Sequence, residues 1–308
     1  MIVYTEFRSL EQDLGIPIRT LFALSNNISA HYRSVTLKKK DGGERVLSVP
    51  DPILKKVQRA IASTLLTHQP ISPYASAYRY GASVQANALP HVGQRMLLKL
   101  DIKHFFDSIT YSDVKDRCFP AQRFSEPIRI LLTMLCYYKD ALPQGAPSSP
   151  AITNIIMRES DGIIGEYCRA HGIRYTRYCD DMAFSGEKID VRELTELVRK
   201  ELLHHGFFLN EKKTVLAVSG MRQSVTGIVV NSRADVPREY KDRIRQEIYY
   251  CKKFGVEEHL RRTGSELEPR AYLTSLLGRI SFVLHTRPDL EQFKGYREYV
   301  KRLLSDLK

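Results

Sequence analysis

The stretch RYTRYCDDMAFSG, residues 174–186, places two adjacent aspartates between runs in which apolar and polar residues alternate. Alternation with a period of two is typical of half-buried β-strands, so the stretch predicts a hairpin with Asp180 and Asp181 at its tip. Adjacent carboxylates repel each other, and solvent, a basic neighbour or a metal ion must offset their charge. Taken alone, the pair is more typical of a solvent-exposed β-turn, where aspartate is common.

The chain is strongly basic, with 47 Lys and Arg against 35 Asp and Glu and a net charge of +12 at pH 7. This excess favours a polyanionic partner, although some soluble proteins are basic without one. No apolar run approaches the ~18 residues that span a bilayer, so we expect no membrane association. The N-terminus has acids where a signal peptide is basic, and the five cysteines include no CxxC pair. These features predict a cytoplasmic protein without a disulfide framework.

The order of the predicted elements favours an α+β fold, an antiparallel sheet backed by helices and followed by a basic, all-helical part. We place the boundary between the sheet-containing part and the helical part at 231/232, which gives parts 1–231 and 232–308. Predicted strands or hairpins lie around KDGGE, in 96–109, in TVLAV and in SVTGIVVN. Predicted helices follow Asp51-Pro52 and cover 149–172, 191–206 and three segments after Pro237.

Asp101 ends an apolar strand in LLKLDIKHFF, so it is expected at the rim of a sheet. There it can converge with the hairpin tip on an adjacent strand. Three carboxylates at one place suit hard cations, and Mg²⁺ is bound by a few carboxylates plus substrate phosphates. Two such ions would support an in-line phosphoryl displacement. The alternative for Asp101 is a helix N-cap after the strand.

Four sequence blocks follow one another between residues 101 and 214: Asp-x-x-x-Phe-Phe, PQGAPSSP, Tyr-x-Asp-Asp and NEKKT. Each alone has an ordinary explanation, such as a Pro/Gly-rich loop. In this order the combination resembles the reverse transcriptases. NALPH at 87–91, VTG at 225–227 and the YRYGAS stretch are similar to motifs of the retron type. Cys179 departs from the family, in which alanine is commoner at that position.

The resemblance implies a right-hand polymerase, with fingers and palm interleaved in 1–231 and a helical thumb in 232–308. In such an enzyme Asp101 and Asp180 would bridge two Mg²⁺ ions. Asp181 would lie beside them and the Ile102 carbonyl would be a further ligand. The reaction would be attack of a primer hydroxyl on the α-phosphate of a dNTP, with pyrophosphate leaving.

The same resemblance implies residues that bind the dNTP. Phe106 would be the steric gate that excludes a 2′-OH, and Gln144 with Gly145 would touch the incoming nucleotide. One lysine together with Arg45 would clamp the phosphates, and Lys213 would lie near pyrophosphate as a general acid. The candidate lysines are Lys38, Lys39 and Lys40. The alternatives stay open: core packing for one of Phe105 and Phe106, a solvated charged turn for the lysines, and a plain surface position for Lys213.

Further implied residues lie around the primer and the duplex. Tyr178 would be close to the primer end, and a primer-grip turn would contain Val225, Thr226 and Gly227. For Asn87 and His91 a structural pairing is favoured over a chemical role. Thumb lysines and arginines would contact phosphates, and three thumb tyrosines could stack on RNA bases, although core packing is the better interpretation of each: Tyr249, Tyr250 and Tyr272.

The resemblance therefore predicts a retron reverse transcriptase, an RNA-directed DNA polymerase. It would bind its cognate structured noncoding RNA, prime from an internal 2′-OH and make single-stranded DNA as an RNA–DNA product. A role in antiphage defence with a separate effector protein is expected, and template removal would need a host RNase H. The alternatives are a group II intron or abortive-infection reverse transcriptase, an RNA-dependent RNA polymerase, which Phe106 disfavours, and a catalytically silent RNA-binding scaffold.

Overall fold

The computed structural model describes residues 4–38 and 42–307, which form helices and short strands. The helices are α1 Phe7–Leu14, α2 Ile18–Asn26, α3 Pro52–Ile61, α4 Val84–Ala88, α5 Tyr111–Asp113, α6 Glu126–Cys136, α7 Ser149–Ile156, α8 Arg158–Ala170, α9 Val191–His204, α10 Arg238–Phe254, α11 Val256–Thr263, α12 Pro269–Thr286 and α13 Glu291–Asp306. The strands are β1 Tyr32–Lys38, β2 Glu44–Pro50, β3 Met96–Lys103, β4 Arg174–Tyr178, β5 Asp181–Gly186, β6 Phe208–Leu209, β7 Val215–Val218, β8 Ser224–Val225 and β9 Ile228–Val229.

Two compact units are present. The first joins Met1–Ala82 to Leu98–Leu216, and the second joins Ser83–Leu97 to Ala217–Lys308. The predicted division at 231/232 into fingers-and-palm and a helical thumb stays a prediction.

A five-stranded sheet has the order β4-β5-β3-β6, and β7 also pairs with β3. Strands β4 and β5 are antiparallel and place Tyr178 opposite Asp181. Strands β3 and β6 are also antiparallel, with Ile102 opposite Leu209. Because β5 and β3 are neighbours, the tip of the β4–β5 hairpin lies beside the last residues of β3. This order of strands brings together acidic residues that are about 80 positions apart in the chain.

Several local predictions are confirmed. Strands β1 and β2 pair from Tyr32↔Pro50 to Lys38↔Glu44, as expected for a hairpin around KDGGE. Asp51 caps α3, since its Oδ1 accepts a hydrogen bond from the Leu54 amide at 2.8 Å, and Pro52 opens the helix. Capping side chains and an N-terminal proline are strong start signals, which explains why this boundary could be read from sequence.

Other predictions were wrong in detail. The single helix predicted for 149–172 is two helices, because at Met157 ψ is −3° and the regular helix is interrupted. The strand predicted in SVTGIVVN is the tight β8–β9 hairpin, since Thr226 and Gly227 both have positive φ. Helix α11 was not predicted. Strand β3 continues to Lys103, so Asp101 lies inside the strand and not at its end.

Each unit has its own apolar interior. In the second unit, helices α10, α12 and α13 bury the side chains of Ile244, Ile248, Leu273, Ile280 and Phe293. All five cysteines are buried and free, in agreement with the prediction of no disulfide framework. Among the described helices, none is both long and apolar enough to cross a membrane.

We predict opposite effects for two glycine-to-alanine changes in α8. A Cβ at Gly165 would lie 1.9 Å from Cε2 of Tyr74, whereas a Cβ at Gly162 would meet nothing within 4 Å. Gly165→Ala should lower the free energy of unfolding by about 1–3 kcal/mol through overpacking. Gly162→Ala should raise it by about 0.5–1 kcal/mol, because alanine favours helix over glycine. Urea unfolding of both variants measures the difference, and equal stability of the two would contradict the packing described here.

Candidate active site

The tip of the β4–β5 hairpin is a two-residue turn made by Cys179 and Asp180. Cys179 has φ +62°, a left-handed conformation that is uncommon for a residue with a side chain. The Asp180 carbonyl accepts a hydrogen bond from the Ile102 amide at 3.0 Å. The turn is therefore attached directly to β3 next to Asp101, so the predicted meeting of these segments is observed.

Asp101 is buried, and its side-chain exposure is only 5%. Its Oδ1 accepts a hydrogen bond from Asn210 Nδ2 at 3.0 Å, and its Oδ2 accepts one from Lys213 Nζ at 2.8 Å. The Asp101 carbonyl also accepts from the Asn210 amide at 2.8 Å. Hydrogen bonding to Asp101 raises the pKa of Lys213, which keeps this lysine charged. One acidic side chain thus organises both ends of the Asn210–Lys213 turn.

Asp181 shows that the three carboxylates act on one another. Desolvation by the surrounding protein, together with the negative charges of Asp180 and Asp101, raises the pKa of Asp181 to about 6, against smaller opposing effects of Lys213 and Lys99. Like charges within reach of each other disfavour the ionised form. The three carboxylates that the sequence predicted to converge are therefore close enough to affect the pKa of Asp181.

A cleft of about 830 Å³ opens in front of these aspartates. Its wall includes the tip of the hairpin, the turn after β3 and the start of β2. The residues that line it and that the sequence singled out are Arg45, Asp101, Ile102, Phe105, Phe106, Gln144, Tyr178, Cys179, Asp180, Asp181 and Lys213. The cleft is large enough for a nucleotide-sized ligand, since small-molecule sites span ~300–1,000 Å³.

The side chains at the tip of the hairpin can be compared with the ligands that metal ions need. Among residues 4–38 and 42–307, no group of three or more His, Cys, Asp or Glu side chains is arranged at ligand spacing. Lys213 and Asn210 hold Asp101 instead. Asp101, Asp180 and Asp181 nevertheless line one cleft, and the charges of Asp180 and Asp101 contribute to the raised pKa of Asp181. Carboxylate oxygens are the ligands that Mg²⁺ prefers, so the residues fit a hard divalent cation chemically.

The family model for reverse transcriptase (RNA-dependent DNA polymerase) matches residues 37–250. Retron Ec86 reverse transcriptase of Escherichia coli is 30% identical over 265 residues, covering 84% of this chain and 82% of the relative. The chain belongs to the retron-type reverse transcriptases. Retron Mx65 reverse transcriptase of Myxococcus xanthus is 32% identical over 273 residues, or 82% of this chain. The matched part is 61% of that relative's length.

A solved structure supports the fold. The foamy viral protease-reverse transcriptase matches with a TM-score of 0.50 and 18% identity, covering 90% of this chain and 39% of that one. At this identity the likeness concerns the fold alone. The predicted fold class, an α+β right-hand polymerase, is confirmed.

The predicted dNTP-binding residues of this reverse transcriptase fall into three groups. Phe106 and Gln144 line the cleft. Phe105 also borders the cleft, but it is only 3% exposed and packs on Phe207 with ring centroids 5.4 Å apart. Arg45 also lines the cleft, but Lys38, at the end of β1, is exposed and does not. The predictions for Lys39 and Lys40 concern residues outside the described ranges.

Gly145 has a steric reason to be glycine. Its φ is +117°, and a Cβ there would lie 3.1 Å from the carbonyl oxygen of Ser48 on β2. A side chain would be strained by the backbone conformation and crowded by the strand. Glycine therefore allows the loop that carries Gln144 to pack closely on the β1–β2 hairpin.

The retron-type motifs NALPH and VTG meet within the second unit. Thr226 and Gly227 form the turn between Val225 and β9, and φ +45° is a strained value for the β-branched Thr226. Thr226 Oγ1 donates to the Val84 carbonyl at 3.0 Å and accepts from Asn87 Nδ2 at 3.3 Å. Asn87 thus contacts the VTG turn.

Two residues that support the site of the reverse transcriptase were not predicted from the sequence. Asn210, the first residue of NEKKT, binds the Asp101 side chain. Arg177, one residue before the tyrosine of Tyr-x-Asp-Asp, is fully buried and donates to the Cys179 carbonyl at 3.0 Å. A basic residue inside a strand that is otherwise buried was the available signal for Arg177.

His91 predicts a pH dependence of stability. His91 is fully buried, and burial lowers its pKa to about 4 from the usual ~6.5. The unfolded chain therefore binds a proton at a higher pH than the folded protein does. The contribution of neutral His91 to the free energy of unfolding is complete above pH ~6.5. It is lost as the pH falls towards 4, by up to ~1.4 kcal/mol per pH unit. His91→Gln should flatten the fall in unfolding free energy measured in urea between pH 6.5 and 4.5. An unchanged slope would count against a neutral buried imidazole.

Proposed function

We propose that the protein is the RNA-directed DNA polymerase of a retron, which reverse-transcribes part of a cognate structured noncoding RNA into single-stranded DNA. The observation that carries the proposal is the meeting of Asp101, Asp180 and Asp181 at a cleft that also contains Phe106 and Gln144. Membership of the family gives the reaction class. Because the chain matches only part of the Myxococcus relative, substrates and partners are proposed here on the chemistry of the site.

The three aspartates are proposed to hold two Mg²⁺ ions, with the Ile102 carbonyl as a further ligand. Bound there, the ions would activate a primer hydroxyl and stabilise the oxygen of the leaving pyrophosphate. The chain itself orients these carboxylates, since the Ile102 amide fixes the Asp180 carbonyl and Asn210 fixes Asp101. Lys213 lines the cleft and donates to Asp101, and in this proposal it would give a proton to pyrophosphate.

Nucleotide selection is assigned to the wall of the cleft. The partly buried ring of Phe106 would lie beneath the sugar and exclude a 2′-OH. Gln144 would contact the incoming nucleotide, and Gly145 would allow its close approach. Arg45, with one of the lysines at positions 38–40, would bind the triphosphate. Arginine suits this role because its guanidinium pairs with two phosphate oxygens at once.

Contacts with the primer and the template are also part of the proposal. Tyr178 lines the cleft and would touch the primer end, and Val225, Thr226 and Gly227 would form a primer-grip turn. Residues 232–308 would act as a thumb. Its α10 carries an exposed Tyr249, with Lys253 Nζ 5.7 Å from the ring centroid, a pairing suited to base stacking and phosphate binding. Tyr272 is buried and donates to Glu247 at 2.9 Å, which supports core packing.

The partners proposed are the cognate noncoding RNA, its RNA–DNA product, dNTPs and a separate effector protein in antiphage defence. Host RNase H would remove template, and the setting would be the cytoplasm. A net charge of +12 supports a polyanionic partner.

The function is tested by sequencing nucleic acid that copurifies with the protein expressed from its native locus. Wild type should carry a short DNA joined to RNA through a 2′–5′ branch. Asp180→Asn should abolish that DNA, because a ligand of the proposed ions is lost. The matched control is Asp107→Asn, which removes an exposed carboxylate from the same cleft and should leave the product in place.

The outcomes separate the alternatives. RNA without DNA, from a protein that still extends primers with dNTPs, would favour the group II intron or abortive-infection types. Absence of both DNA and primer extension would favour a silent RNA-binding scaffold. Equal loss of product in the Asp107 and Asp180 variants would contradict the assigned site.

Phe106 and Phe105 give a paired prediction on sugar selection. Phe106→Val should reduce the preference for dNTP over rNTP by about 10- to 100-fold, the range expected when a steric contact in a pocket is removed. Phe105→Val should lower stability and leave the preference unchanged, because Phe105 is 3% exposed and packs in the core. Single-nucleotide incorporation with dNTP and rNTP measures the ratio, and a change with Phe105→Val alone would reverse the assignment.

A further inference from the structure

Both peptide groups that flank Asp180 are held by hydrogen bonds. The carbonyl of Cys179, on the N-terminal side, accepts from Arg177 Nη1 at 3.0 Å. The carbonyl of Asp180, on the C-terminal side, accepts from the Ile102 amide at 3.0 Å. With both peptide planes fixed, the Cα–Cβ direction of Asp180 is fixed as well. One of the two supports is backbone, and the other is a single buried side chain.

That side chain is anchored at its other end by Asp161 on α8. Arg177 Nε donates to Asp161 Oδ1 at 2.8 Å, and Nη2 donates to Oδ2 at 2.7 Å. Both residues are fully buried, with 0% exposure. This two-pronged pairing sets the plane of the guanidinium and leaves Nη1 directed at the Cys179 carbonyl.

The network around this pair satisfies the remaining polar atoms. Tyr175 donates its hydroxyl to Asp161 Oδ1 at 2.8 Å. Asn154 accepts weakly from Arg177 Nη2 at 3.4 Å and donates to the Ala77 carbonyl at 2.8 Å. The Arg177 backbone is also fixed, because its amide donates to the Tyr74 carbonyl and its carbonyl accepts from the Ser76 amide.

Stability alone gives little reason for such a pair. Removing two charges from water is costly, and apolar residues of similar volume commonly stabilise a core as well or better. The guanidinium has a property that apolar residues lack, namely several donors in a rigid plane that can bind Asp161 and the turn together. A short segment of strand with a left-handed Cys179 at its end needs such a support to keep one conformation.

We propose that Arg177 is a positioning residue for the metal-binding carboxylate of Asp180. Arg177 is held by Asp161 on α8 and donates to the Cys179 carbonyl, so it fixes the backbone that orients Asp180. It acts through the backbone of the turn and touches neither nucleotide nor ion. The proposal rests on the proposed function for the role of Asp180 as a metal ligand.

The test is Arg177→Lys, with Mn²⁺ as the probe. Lysine keeps a positive charge beside Asp161, but its single ammonium does not reproduce the planar fork that serves both acceptors. We expect a folded protein whose dissociation constant for Mn²⁺ rises by about 10- to 100-fold, the usual effect of losing a partner that orients a ligand. A titration followed by electron paramagnetic resonance measures free Mn²⁺. The Mn²⁺ binding that Asp180→Asn abolishes is the binding specific to this site. In primer extension, kcat should fall while the dNTP KM stays near the wild-type value.

Tyr175→Phe is the matched control. It removes one hydrogen bond to Asp161 from the same buried network and leaves the Cys179 carbonyl bonded. Its Mn²⁺ affinity should equal that of wild type even where its melting temperature falls. Equal losses of Mn²⁺ affinity in Tyr175→Phe and Arg177→Lys would overturn the proposal, because the network would then act only through general stability.

A paired change keeps the test decisive if Arg177→Lys does not fold. Arg177→Met together with Asp161→Leu replaces the ion pair by apolar side chains of similar size. Weak Mn²⁺ binding by a stably folded double variant supports the positioning role, and wild-type affinity would overturn it. If wild type binds Mn²⁺ through Asp180 but makes no DNA from RNA, the proposed function fails while the comparison of Mn²⁺ affinities still decides the role of Arg177.

Discussion

Mutual repulsion among three neighbouring carboxylates is the constraint on which this site depends. Two like charges about 4 Å apart near a protein surface repel by ~4 kcal/mol, so a fold that brings carboxylates together must offset this repulsion. Lys213 and Asn210 do so at Asp101, and the charges of Asp180 and Asp101 contribute to the raised pKa of Asp181. The order of the surrounding elements also bears on this repulsion. Neighbouring strands carry the acids, and the turn after β6 carries their counter-charge.

The parts of this arrangement that sequence predicted are those encoded by local pattern. Alternating residues on both sides of Cys179 and Asp180 predicted the hairpin, and Asp51-Pro52 predicted the start of α3. The adjacency of Asp101 to the hairpin tip was also predicted, because an aspartate near the end of an apolar strand belongs at a sheet rim. Four ordered motifs then predicted the family. Such signals are short, and each depends on residues close together in the chain.

The rest depends on contacts between distant segments, for which a single sequence carries no local signal. Arg177 and Asp161 are separated by a turn and a helix end, and only the packing of α8 on β4 pairs them. Likewise, Asn87 meets Thr226 across 139 positions. The interruption at Met157 was missed because the apolar spacing continues through it. The polar contacts between distant segments were therefore not predicted from this sequence.

The thiol at the tip of the hairpin has a consequence for the protein's chemistry towards oxidants. Only thiolates react rapidly with peroxides and alkylating agents. Cys179 is 7% exposed, and burial together with the adjacent Asp180 charge raises its pKa to about 12. Sulfur therefore stands beside the acidic cluster in an inert, protonated form. We therefore expect oxidants to leave the Cys179 thiol unmodified, although cysteine is in general the residue type most readily oxidised.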